Sequence, residues 1–311
     1  MNNLPKILIL TGPTCSGKTF LAHLIADKIP SEIVSADSRQ VFKGLNIGTS
    51  KPAKIELKKY NYHCVDILKP TQNYSAGDFQ IDGRNAIKKI LKLNKLPIIV
   101  GGTGLFIRAL VDGLIEGVER NDLIRDELEI ELKEKGLNSL FNKLKKVDPK
   151  TADKIDSKNP RRVIRALEVF KLTGKSIKSS FENQNKIKLY NPHFISLNWE
   201  RSNLYDKINN RVDKMIENGF VDEVKKLFSS GLDENYQSMQ TVGYKELLLF
   251  LKNKLSFDEA INLIKQNTRR YAKRQITWFK KEKRINWLEV AKENEFEKLS
   301  AKILDKFDKK S

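Results

Sequence analysis

Residues 7–10 (ILIL) are an unbroken apolar run, followed by a glycine-rich stretch and then by Phe20, Leu21, Leu24 and Ile25 at helical spacing. This order predicts a fully buried strand, a loop, and a helix whose core stripe is those four residues. Residues 32–36 (EIVSA) and 96–100 (LPIIV) repeat the strand signal, the latter entering Gly101-Gly102-Thr103-Gly104 and a further helix. Strands alternating with helices imply an α/β fold with a parallel, doubly wound sheet and ligands at the strands' carboxyl ends. Segments 12–19, 37–40 and 101–104 each follow a strand, so they are expected to share one rim.

From about residue 113 to 189 the strand signal disappears. Asn121 is placed to cap a highly charged helix that stops near Gly136. Asn159-Pro160 opens another, with Pro at its first position and Gly174 as its stop. Residues 113–190 therefore read as a helical insertion or lid between a first core part, 1–112, and a remainder, 191–311. Residues 194–197 (FISL) return to strand character and should rejoin the sheet. Beyond Ser202 the pattern is mostly helical, and Leu204, Ile208, Val212 and Met215 form a buried stripe at helical spacing.

Residues Gly12, Pro13, Thr14, Cys15, Ser16, Gly17, Lys18 and Thr19 match GxxxxGK[ST] in full, between a strand and a helix. The glycines let the backbone wrap an anion, and successive N–H groups with the helix N-terminus supply positive potential. Lys18 can reach a terminal phosphate, and Thr19 can ligate Mg²⁺ directly or through water. Cys15 reads as a small loop filler rather than a nucleophile. The loop does not say which molecule carries the phosphates. ATP-cleaving machines add an acid at the end of a hydrophobic strand, but here the third strand ends in GGTG. The acid at a nearby strand end is Asp37, which suits a Mg²⁺ ligand, a general base or a helix cap. Gln40 carries an amide that matches an adenine edge. Thr103 offers a rim hydroxyl or caps a turn. Arg211 faces the buried stripe of its helix, where it requires a partner, either a bound diphosphate or an internal carboxylate.

Composition narrows the partners. The 311 residues carry 58 Lys and Arg against 39 Asp and Glu, a net charge of +19, which favours a polyanion unless it only reflects Lys-rich composition. Neither cysteine, Cys15 nor Cys64, belongs to a CxxC pair, which argues against a zinc or disulfide framework and suits a reducing cytoplasm. No apolar run reaches the ~18 residues of a membrane span, and the first one is too short for a signal peptide, so a cytoplasmic protein without membrane contact is expected. Two basic clusters suit RNA: Arg161, Arg162 and Arg165 at a helix start, and residues 266–283, where Arg269, Arg270, Lys273, Arg274 and Lys280 surround Tyr271, Trp278 and Phe279. A solvated helix face with inward aromatics would produce the same pattern.

Together, GPTCSGKT (12–19), SADSRQVFKGLNIGTSKP (35–52), YSAGDF (74–79), PIIVGGTGLF (97–106), NPRRVIRALEVF (159–170), TVGYKE (241–246) and AKRQITWF (272–279) resemble the bacterial tRNA dimethylallyltransferase family, in its order and along essentially the whole chain. The resemblance implies a P-loop kinase-like core, an inserted helical domain gripping an anticodon stem, and a helical C-terminal part. It implies transfer of a dimethylallyl group from dimethylallyl diphosphate to the exocyclic amine of an adenine beside the anticodon of tRNA, with Mg²⁺, in a monomer. Asp37 would be the base, and Thr103 and Arg211 would bind diphosphate. Ser38, Arg39 and Gln40 would join Asp37 and Thr103 in holding the adenine. Further tRNA contacts would come from Arg125; from Arg161, Arg162, Val163, Ile164 and Arg165; from Gln240, Thr241, Val242, Gly243, Tyr244 and Lys245; and from Lys273, Arg274, Gln275, Ile276, Thr277, Trp278, Phe279 and Lys280. Gly104 departs from the family, where a bulkier residue is frequent, and is expected to loosen the turn after Thr103. A small-molecule kinase and an RNA-binding NTPase switch are the rival readings of the phosphate loop.

Overall fold

The computed structural model describes residues 4–114, 120–176 and 188–308. The chain divides into two compact units, one formed by Met1–Asp112 with Lys188–Ser311 and the other by Gly113–Ile187. In the first, β1 (Lys6–Thr11), β2 (Ser31–Ser35), β3 (Tyr62–His63), β4 (Leu96–Gly101), β5 (Asn191–Trp199) and β6 (Ile285–Val290) form one sheet in the order β3-β2-β4-β1-β5-β6. Every pairing is parallel, and Ile9 of β1 lies between Ile99 of β4 and Phe194 of β5.

The helices, in chain order, are α1 (Lys18–Ala26), α2 (Lys54–Lys59), α3 (Ala76–Lys92), α4 (Gly104–Asp112), α5 (Asp122–Val147), α6 (Pro149–Ala152), α7 (Pro160–Thr173), α8 (Arg201–Glu217), α9 (Phe220–Ser229), α10 (Tyr244–Leu251), α11 (Phe257–Phe279) and α12 (Phe296–Asp308). The central strands are continuous apolar runs because both sheet faces are covered. Ile7, Ile9, Val34 and Ile99 pack under α3, α4, α9 and α10. Leu8, Leu10, Ile33 and Ile98 pack under α1 and α12. Among the described residues, no helix is long and apolar enough to cross a membrane.

The second unit has its own core, built from Leu128, Leu140 and Leu144 of α5 and Val163 and Leu167 of α7. Its helix ends follow their local chemistry. The Asn121 side chain accepts from the Ile124 N–H, the Asn159 side chain accepts from the Arg162 N–H ahead of Pro160, and Gly174 closes α7 at φ 65°. Gly136 (φ 75°, ψ 167°) breaks α5 where a stop is expected, but the helix resumes to Val147. Residues 115–119 and 177–187, near the ends of the expected insertion, lie outside the described residues.

Two expectations need correction. Phe20 is not on the core stripe of α1: it is 53% exposed and meets the Phe296 ring edge-on at 5.6 Å. The sheet also has two strands that the pattern does not announce, both at its edges. β3 is two residues long, and β6 follows a charged run and buries Ile285, Leu288 and Val290 at uneven spacing.

Candidate active site

The carboxyl ends of β1, β2 and β4 bring the expected segments to one rim. After β1, the loop reaches α1 through Gly17, whose φ of 90° leaves the loop amides ahead of the helix start. Lys18 folds back over the loop, its Nζ donating to the Pro13 carbonyl at 2.5 Å and to Ser16 Oγ at 3.4 Å. Burial lowers its pKa to about 8; Arg211 pushes the same way, while Cys15 and Asp37 act against it. Thr19, one residue into α1, is exposed.

Arg211 comes from α8 and ends on this loop. Its guanidinium donates to Thr14 Oγ1 at 2.9 Å and to Cys15 Sγ at 3.5 Å. Among the described residues it forms no ion pair with a carboxylate, so the internal salt bridge weighed from the sequence is not formed. A guanidinium at a cavity wall with no carboxylate partner among the described residues is poised for an anion.

After β2, Asp37 Oδ1 accepts from the Arg39 N–H at 2.8 Å and the Gln40 N–H at 3.4 Å, which fixes the carboxylate as the cap of a turn. The cap is real, and it leaves Oδ2 without a hydrogen bond from any described residue. After β4, Thr103 Oγ1 accepts from the Ser38 N–H at 3.1 Å, tying the two rim turns together instead of capping α4. Tyr271 of α11 contacts Thr103, and its burial raises the phenol to about 12.

Gln40 does not present its amide to a base. Its Oε1 accepts from Ser35 Oγ at 3.0 Å, and its Nε2 donates to the Thr49 and Ser50 carbonyls at 3.3 and 3.4 Å. It pins the loop that follows β2. Gly104 does not loosen its turn either: a Cβ there would lie 2.1 Å from Trp278 Nε1, so the glycine makes room for the indole.

These residues wall two cavities that share Thr14, Asp37, Thr49, Arg211 and Tyr271. The larger, of about 720 Å³, is bordered by the phosphate loop and by Lys18, Lys51, Lys207 and Lys214, an excess of cations that suits a compact anion. The smaller, of about 300 Å³, mixes Ile208, Val212, Met215 and Ile264 with Ser38, Arg39, Gln240, Thr241, Val242, Gly243, Lys245 and Arg274. Asp37 and Arg211 stand where the two meet.

The basic segments divide by exposure. On α11, Lys273, Arg274, Thr277 and Trp278 face outward, as does Lys280 just past its end, whereas Ile276 is half-buried and Gln275 and Phe279 are buried. Arg269 also turns in, donating to Asn209 Oδ1 at 2.5 Å, and does not join the exposed basic residues. Gln240 and Lys245 are exposed; Tyr244 is fully buried, its hydroxyl donating to Glu223 Oε1 at 2.6 Å. In the second unit Arg161 and Arg162 are exposed, while Val163 and Ile164 belong to the core. Arg125 and Arg165 are held by the buried Glu168 carboxylate, at 2.9 and 3.0 Å for Arg125 and 2.8 Å for Arg165. Direct RNA contact by the side chains of Val163, Ile164, Tyr244, Gln275 and Phe279 is therefore excluded in this conformation, because each is buried among its neighbours. Sequence reading missed Tyr271 and Lys51 as cavity walls, although both lie in or beside segments it singled out.

Residues 40–282 match the IPP transferase family and residues 5–68 the isopentenyl transferase family. The tRNA dimethylallyltransferase of Carboxydothermus hydrogenoformans is 45% identical over 301 residues, 96% of each chain. That of Alkaliphilus oremlandii is 40% identical over 304 residues, 97% of each chain. Among solved structures, the full-length tRNA isopentenylpyrophosphate transferase of Bacillus halodurans is similar at a TM-score of 0.73 and 38% identity, covering 98% of this chain and 97% of that one. A eukaryotic dimethylallyltransferase acting on tRNA is similar at a TM-score of 0.80 and 29% identity, covering 92% of this chain and 74% of its own. A parallel P-loop kinase-like sheet, a phosphate loop with an acid and an arginine at its mouth, and likeness along nearly the whole length converge: the chain belongs to the tRNA dimethylallyltransferase family, prenyltransferases that modify tRNA.

Proposed function

We propose that this protein, acting as a monomer, transfers the dimethylallyl group of dimethylallyl diphosphate to the exocyclic amine of an adenine next to the anticodon in tRNA. The observation that carries this reading is the meeting of a cation-lined cavity and a mixed apolar–polar cavity at Asp37 and Arg211. The phosphate loop amides, Lys18 and Arg211 hold the diphosphate, and their charge stabilises the negative charge gathering there as the allylic C–O bond breaks. The amine nitrogen forms the new C–N bond and passes its proton to Asp37 Oδ2, the carboxylate oxygen that no described residue engages. Thr103 keeps the Asp37 turn in register through Ser38. The adenine leaves its stack to enter, at a cost of a few kcal/mol that is smallest in a single-stranded loop.

Thr19 would hold Mg²⁺ through its hydroxyl, which borders the cation-lined cavity and suits an ion that takes phosphate oxygens and keeps its waters. When bound, Mg²⁺ supplies charge neutralisation to the leaving diphosphate.

The test incubates unmodified tRNA with the protein and either dimethylallyl diphosphate or ATP, followed by nucleoside mass spectrometry. A five-carbon gain on adenosine with the prenyl donor alone is expected. Asp37→Ala should lower turnover about 10²–10⁴-fold while tRNA affinity stays within a few-fold. ATP consumption without prenylation would replace this reading with the kinase one.

A further inference from the structure

α11 meets the rim at three points spaced i, i+4 and i+7. Tyr271 contacts Thr103, Gln275 reaches between two turns, and Trp278 lies on Gly104. Gln275 makes the most specific of these contacts. Its Oε1 accepts from the Thr14 N–H at 2.8 Å and its Nε2 donates to the Gly102 carbonyl at 2.9 Å. The side chain is 6% exposed, and a Cβ at Gly102 would lie 2.1 Å from its Nε2. The glycine after β4 therefore lets this amide in.

Thr14 is thereby held at both ends. Its N–H is fixed by Gln275, and its hydroxyl accepts from Arg211, the guanidinium at the junction of the two cavities. Displacing Thr14 would shift the loop amides and remove the rest position of Arg211 together.

We propose that Gln275 is a positioning residue for the diphosphate site: from α11 it locks the phosphate loop to the turn after β4, and through Thr14 it sets where Arg211 stands. It touches neither reacting group, and it is too buried to touch RNA. The role rests on the proposed function only in naming the anion a diphosphate. The exposed Lys273 and Arg274 and the lock on the anion site are thus carried by one helix.

The experiment compares wild type with Gln275→Met, which keeps the shape and loses both hydrogen bonds, and Gln275→Glu. Binding of inorganic diphosphate and of an anticodon stem-loop RNA is measured by calorimetry, and KM and kcat are measured for dimethylallyl diphosphate. Gln275→Met should weaken diphosphate binding about tenfold and lower kcat/KM for dimethylallyl diphosphate by at least as much, with RNA affinity within about threefold. Gln275→Glu supplies a second readout. Burial and the facing Gly102 carbonyl raise this carboxyl from its ordinary pKa toward neutral pH; the ionised form cannot donate to Gly102, whereas the neutral acid is isosteric with the amide and restores both bonds. The ratio of wild-type to Gln275→Glu diphosphate affinity should therefore shrink several-fold from pH 8 to pH 6. Unchanged diphosphate affinity in Gln275→Met, equal losses for diphosphate and RNA, or a pH-independent ratio in Gln275→Glu would overturn the proposal. Inorganic diphosphate binding does not require prenyl transfer, so failure of the proposed reaction would be seen separately.

Discussion

At the scale of single residues, Lys18 gives the sharpest pH dependence. Burial leaves its ammonium with a pKa of about 8 in the free protein, and a diphosphate pairs only with the protonated form. Affinity is therefore full below pH 8 and falls as pH rises through that value, by at most about tenfold per unit. Titrating inorganic diphosphate between pH 6.5 and 9.5, in wild type and Lys18→Met, isolates the effect, because the ligand's own ionisation is common to both. A wild-type curve parallel to that of Lys18→Met would remove Lys18 from the anion site. This role was legible in the sequence, since a phosphate loop is a contiguous motif whose chemistry is local. Gln40 was not, because its amide is occupied by Ser35, Thr49 and Ser50, and nothing in the pattern of that loop announces those partners. Arg211 lies between these cases: its inward direction could be read from helical spacing, but not its contact with Thr14, 197 residues away.

At the scale of elements, caps and breaks were readable because they act within four residues. Asn121, Asn159-Pro160 and Gly174 sit at helix ends as their chemistry requires. What joins α5 to α7 was not readable. Glu168 is fully buried, accepts from Arg125 and Arg165, and takes the Asn121 N–H at 2.9 Å, so one carboxylate fastens the start of α5 to α7. Its partners and the Asn121 amide hold its pKa below the usual carboxylate range, against the opposing effect of burial. Glu168→Ala would take this shared carboxylate away from two guanidiniums and an amide. Both arginines are about 30% exposed and recover part of their hydration, so the expected loss is about 2–3 kcal/mol. The loss belongs to the second unit alone. Hydrogen exchange should speed up in α5 and α7 while amides of β1 and β4 keep their protection. Uniform loss of protection across both units would mean that Glu168 supports more than this one joint.

At the scale of the whole molecule, a net charge of +19 has two explanations, a composition rich in lysine or a built surface for a polyanion, and the fold separates them by position. Arg274 lies on the exposed face of α11, borders the smaller cavity, and stands 5.8 Å from the Tyr271 ring. If it serves only to pack against that ring, Arg274→Ala changes stability and leaves the ionic-strength dependence of RNA binding untouched. If it neutralises a phosphate, its removal weakens RNA binding and reduces the slope of log K against log salt by about one. The second outcome is expected, because the guanidinium is exposed and forms no ion pair with any described carboxylate. Binding of an anticodon stem-loop measured from 50 to 300 mM salt distinguishes the two. An unchanged slope with a lowered melting temperature would assign Arg274 to packing and leave the basic face to Lys273 and Lys280. A shallower slope at unchanged melting temperature would place a phosphate of the RNA one residue along the helix from Gln275, beside the lock on the diphosphate loop.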